Sequence, residues 1–148
     1  VESDIHFADR EGVEILYGGK RPSLESPFDE GSFLEPTIVS NLDYQSRTAT
    51  EEIFGPVVTL HKFEKDEDAV EMANCTEYGL AGSVWTSDSA RGKSLAEKIE
   101  TGMVWINTWL HRDLRVPFGG VKNSGVGTEG GRWSLSFFSQ PVNICVKE

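Results

Sequence analysis

The chain has 148 residues, 38% apolar, 10% aromatic and 26% charged, with 24 acidic against 14 basic side chains and a formal net charge of −10. At about 150 residues per domain this is one domain's worth of chain. The composition excludes a disordered tail, and the negative field argues against nucleic acid or an anionic membrane surface as partner, because each would be repelled.

No run approaches the ~18 apolar residues of a membrane-spanning helix. A chain of this size buries roughly 68–70% of its unfolded surface, so a proper core is expected. Cys75 and Cys145 are too few for a disulfide framework and too far apart for a zinc pair, and both read as buried core or strand cysteines. Sparse cysteines point to a reducing, cytoplasmic setting. His6, His61 and His111 are scattered, and no metal site is expected.

The chain opens on a helical stretch, Val1 to Glu11, stopped by Gly12, with no leader; the protein is expected to start upstream. Val13 to Tyr17 reads as a strand closed by Gly18-Gly19, and Lys20 to Ser32 as an exposed loop. Phe33 to Val39 is a second strand candidate, which Pro36 demotes to an edge or a bend. Val57 to Phe63 has the β-branched content of a strand. Asp66 then offers an N-cap, with Ala69, Val70 and Ala73 at helical spacing up to Asn74.

Leu80 to Thr86 is another strand. Ser87 or Asp88 caps a helix with Leu95, Ala96 and Ile99 on one face and Gly102 past its end, and Met103 to Asn107 is a further strand. Strand, helix, strand, helix, strand predicts an α/β fold, with parallel strands covered by right-handed crossover helices. Residues 108–132 are irregular, and six of the thirteen residues from Gly119 to Gly131 are glycine, the mark of a functional loop. A short amphipathic stretch, Trp133 to Phe138, leads to an alternating strand, Val142 to Val146. Nothing follows it to pair with, so a partner subunit is the expected cover.

Gly125, Gly127 and Gly130 match the G-x-G-x-x-G dinucleotide fingerprint but not its context, since no strand leads in and no βαβ unit follows. These glycines read instead as positions of positive φ or close approach. Thr50 to Pro56 has two readings. One is a turn of helix capped by Thr50; the other is a carboxylate held for a ligand's vicinal hydroxyls, with Phe54 stacked beside it. Arg112 and Arg115 are either surface arginines beside Asp113 or a two-point donor for a carboxylate-bearing substrate.

Four segments, in order, resemble the C-terminal part of an NAD(P)-dependent aldehyde dehydrogenase, over essentially the whole chain. They are Glu51-Glu52-Ile53-Phe54-Gly55-Pro56, Tyr78 to Gly82, Gly102 to Asn107, and Pro117 to Gly127. Asn107 to Phe118 is most similar to the branch acting on muconic and hydroxymuconic semialdehydes. The resemblance implies that residues 1–132 are the C-terminal portion of the catalytic domain and 133–148 a short helix plus the terminal oligomerisation strand of a homo-oligomer.

It further implies that Glu52 hydrogen-bonds the nicotinamide ribose of NAD or NADP and that Phe54 packs near the nicotinamide. By the same resemblance Phe118 walls the aldehyde pocket, Arg112 anchors a substrate carboxylate, and Trp109 and Arg115 are further pocket candidates. One residue departs from the family: Thr128 stands where an arginine usually precedes the glutamate. The family's nucleophilic cysteine, its glutamate base and its asparagine oxyanion donor all lie upstream of these segments. The chain alone is therefore expected to be inactive. The rival reading is a non-catalytic truncated paralogue that binds a subunit or a small acid.

Overall fold

The computed structural model describes residues 1–148. Strands and helices mix along the whole chain in the expected α/β class, and contacts divide it into two units, Val1–Thr76 and Glu77–Glu148.

In the first unit, helix α1 (Glu2–Arg10) carries Glu2 and Asp4 in its first turn and Arg10 in its last, as the helix dipole favours. Ile5 and Ala8, three residues apart on one face, are its buried side chains. Strands β1 (Glu14–Tyr17), β2 (Thr37–Ser40) and β3 (Val57–Leu60) form a sheet in that order, β1 antiparallel and β3 parallel to β2. The second strand is thus central, where Pro36 implied an edge or a bend. It begins one residue after the proline, so the missing N–H falls outside the ladder. Thr37 N already donates to Pro56 O, at 2.7 Å.

Val39 is fully buried, and the buried Thr37 hydroxyl is satisfied twice: it accepts from Gly19 N and donates to Glu35 O. Helix α2 (Arg47–Thr50) and helix α3 (Asp66–Asn74) complete the unit. On α3, Ala69 and Val70 are half-buried, whereas Ala73, expected on the same face, is exposed and Met72 takes its place.

The second unit holds β4 (Tyr78–Gly79), β5 (Ala81–Val84), α4 (Ser89–Ala96), β6 (Met103–Ile106), β7 (Val121–Lys122) and α5 (Gly131–Phe137). Asp88 caps α4 as the sequence implies, its side chain accepting from Ala90 N and Arg91 N. The helix crosses over between the parallel strands β5 and β6. Leu95, Ala96 and Ile99 are half-buried, and Gly92 is buried where a Cβ would stand 3.0 Å from Ile106 Cγ2. A Cβ on Gly102 would run into Gly119 O, so only glycine allows those two backbone segments to approach. The expected series of parallel strands is not continuous, because β3 pairs with β2, and β5 with β6, in separate sheets.

Two expectations are corrected. The buried apolar side chains are Ile5, Ala8 and Val39 alone, so the core expected from chain length is not formed. Both units leave large apolar side chains exposed, including Val58, Leu60 and Phe63 in the first and Leu135, Phe137 and Phe138 in the second. The cysteines are not core residues. Cys75, at the end of α3, is half-buried and donates to Tyr44 O and Met72 O, and Cys145 is exposed. Residues 139–148 form no strand within the chain, and Val142, Ile144 and Val146 are 77%, 82% and 82% exposed. No helix is long and apolar enough to cross a membrane.

Candidate functional site

The loop after β6 is built from that strand outward. Asn107, at φ 55°, continues the β5–β6 pairing with its side chain: Oδ1 accepts from Thr86 N at 2.8 Å and Nδ2 donates to Thr86 O at 2.7 Å. Trp105 Nε1 donates to His111 O at 2.8 Å, and the Trp105 and Trp109 rings meet edge to face at 5.1 Å. These contacts fix where the chain delivers Arg112.

Farther along, Phe118 and Glu129 form an antiparallel bridge, each N–H donating to the other's carbonyl at 2.8 Å. Gly130 closes the turn at φ 97°, where a Cβ would strike Val116 O. Gly125 also has positive φ, as expected. Gly127 lacks positive φ and a Cβ there would meet nothing, although its carbonyl stands where a Cβ on Gly119 would strike it.

On this frame the Arg112 guanidinium carbon lies 3.8 Å from the centroid of the Phe118 ring, a cation–π contact. Its Nη2 donates to Glu129 Oε1 at 3.1 Å. Arg112 and Phe118 line a cavity of about 190 Å³ with Met103, Val104 and Trp105 of β6. Phe118 and Glu129 line a neighbouring cavity of about 390 Å³ with residues of the glycine-rich loop and α5. The structure therefore brings Arg112 and Phe118 together.

Arg115 lines neither cavity. Its guanidinium grips Asp113, Nε donating at 2.9 and 3.1 Å, and that hydrogen bond holds the Asp113 carboxyl below its ordinary range. Trp109 touches Trp105 and lines neither cavity. The residues that sequence reasoning missed are Asn107, Trp105 and Glu129. Glu129 stands 17 positions from Arg112, and no periodicity announces their pairing.

In the first unit the segment after α2 corrects the reading of Thr50 as an N-cap. Thr50 ends the helix, and its hydroxyl donates back to Ser46 O at 2.9 Å. Glu51 is extended, at φ −86° and ψ 148°. Glu52 and Phe54 are exposed on either side of the half-buried Ile53, and Gly55 N donates to Ile53 O at 2.7 Å, closing a tight turn at Phe54.

The two carboxylates are not equivalent. Arg47 Nε donates to Glu51 Oε2 at 2.7 Å, which holds the guanidinium above its ordinary pKa, and the Arg47 guanidinium also lies over the Phe7 ring at 4.7 Å. Glu52 has no hydrogen bond or ion pair, and Phe54 is 89% exposed. A free carboxylate beside a bare aromatic face suits a sugar diol with an attached flat ring.

Residues 1–144 match the model of the aldehyde dehydrogenase family. A 2-aminomuconic 6-semialdehyde dehydrogenase of Pseudomonas sp. is 41% identical over 99% of this chain and 30% of the relative's length. A 2-hydroxymuconic semialdehyde dehydrogenase of Pseudomonas sp. strain CF600 is 44% identical over 93% of this chain and 28% of its own length. The crystal structure of betaine aldehyde dehydrogenase from Staphylococcus aureus in complex with NAD+ superposes with a TM-score of 0.88. It is 42% identical over 93% of this chain and 27% of that protein's chain. The chain thus spans about three tenths of the length of the curated relatives it matches.

Proposed function

The chain belongs to the aldehyde dehydrogenase family, and from that premise we propose that it is the C-terminal part of an enzyme that oxidises a carboxylate-bearing semialdehyde to the acid with NAD. The observation that carries the substrate class is Arg112. Its guanidinium is stacked on Phe118 at the edge of a 190 Å³ cavity, and because Glu129 takes one Nη2 hydrogen, the other Nη2 hydrogen and the N–H parallel to it are left as a two-point donor. A carboxylate takes two parallel N–H bonds from such a group. The names of the two Pseudomonas relatives, both muconic-type semialdehyde dehydrogenases, support the same class.

For the cofactor, the residues present fit. Glu52 would accept from the nicotinamide ribose hydroxyls and Phe54 would lie beside the nicotinamide. The bound cofactor supplies the hydride acceptor. This chain's residues bind, orient and wall the site, and the attacking thiolate comes from elsewhere in the protein.

The deciding experiment is NAD reduction with 2-hydroxymuconic semialdehyde, comparing the 148-residue chain with one extended to the natural N-terminus. Turnover is expected only in the extended form. Turnover in the short chain would refute an upstream nucleophile, and an extended form active on other aldehydes alone would refute the substrate class.

We further propose that residues 142–146 pair with a neighbouring subunit of a homo-oligomer. The support is their apolar alternation and their exposure in the single chain. Deleting residues 141–148 from the full-length protein is expected to lower its oligomeric state by light scattering. An unchanged mass would refute the assignment.

A further inference from the structure

Glu129 is engaged by the site from outside the cavity that Arg112 lines. Its carboxylate meets Arg112 Nη2 at 3.1 Å, its backbone is clamped to Phe118 by two hydrogen bonds, and Phe118 supplies the face on which the guanidinium lies. One bridge of the chain therefore sets both the plane and one edge of the guanidinium. Glu129 lines the 390 Å³ cavity and not the 190 Å³ cavity, and its single bond to Nη2 leaves the second Nη2 hydrogen and the N–H parallel to it as a fork for a carboxylate.

An unrestrained arginine on an exposed loop loses rotamer entropy when it is fixed. A side chain already held by a ring and a carboxylate has lost much of that freedom before the substrate arrives. We propose that Glu129 is a positioning residue for Arg112, orienting the guanidinium toward a substrate carboxylate and so setting the preference for carboxylated over uncharged aldehydes. This rests on the reading of Arg112 as the carboxylate anchor.

The test uses the full-length enzyme and a matched pair of substrates, 6-oxohexanoate and hexanal, read as the ratio of their kcat/KM values. Effects on chemistry common to both substrates cancel in that ratio. An exposed ion pair contributes about 0.2–1 kcal/mol, so Glu129→Ala is expected to lower the ratio up to about five-fold. Glu129→Gln, which keeps an acceptor for Nη2, is expected to retain most of it. If the alanine variant does not fold, Glu129→Asp, one methylene shorter, is expected to lower the ratio in its place.

In an Arg112→Ala background the Glu129 substitution is expected to have no further effect, which a merely structural role would not produce. A ratio unchanged or raised by Glu129→Ala, with Arg112→Ala still collapsing it, overturns the positioning role alone. A ratio that Arg112→Ala leaves unchanged overturns the anchor reading and this inference with it.

Discussion

Replacing Arg112 by alanine in the full-length enzyme is expected to lower kcat/KM for a carboxylated semialdehyde about 10²-fold, with less than a three-fold change for an uncharged aldehyde of equal length. Each hydrogen bond to a charged group contributes about 1.5–3 kcal/mol, and the guanidinium offers two to one carboxylate. Allowing for a side chain that is 41% exposed, a total near 3 kcal/mol converts to about two decades of rate. Arg112→Lys is expected to recover only part of the loss, because a point charge reproduces neither the two-point geometry nor the stack on Phe118. Steady-state kinetics on both aldehydes checks this. Equal losses for the two substrates would assign Arg112 to the scaffold of the loop instead.

The second large effect concerns the cofactor. Glu52→Ala is expected to raise KM for NAD about 10²-fold, since two hydroxyl bonds to a carboxylate disappear together. Glu51→Ala, one residue away, is expected to change it less than three-fold. The structural ground for the contrast is that Glu51 is committed to Arg47 at 2.7 Å while Glu52 is unpaired. The Arg47–Glu51 pair is itself an exposed i,i+4 contact, which solvent screens to a small net contribution. Titrating NAD against each full-length variant by fluorescence separates the two. Equal losses from both acids would mean that the pair acts through the fold of the segment and not through one carboxylate.

Most helices and several strands were legible because their causes are local. The stop at Gly12, the cap at Asp88 and the apolar set Leu95, Ala96 and Ile99 all act within a few residues, and each stands where the sequence implies. Glu52, Phe54, Arg112 and Phe118 were singled out by the resemblance of the segments they sit in, and the structure brings the last two into contact.

What the sequence by itself determined is therefore the α/β class, the order of the elements and the kinds of residue available for recognition. Only the tertiary structure decided that β2 is a central strand despite Pro36, that β3 and β5 lie in separate sheets, and that Thr50 ends a helix where it was read as capping one. The same holds for the pairing of Arg112 with Glu129, and for the pairing of Arg47 with Glu51 and not with Glu52. The physical reason is one of range. Caps, turns and periodicity are settled by neighbours within about a helical turn. Strand pairing, burial and the pairing of charges many residues apart depend on which segments meet, and that is written in no single stretch of the chain.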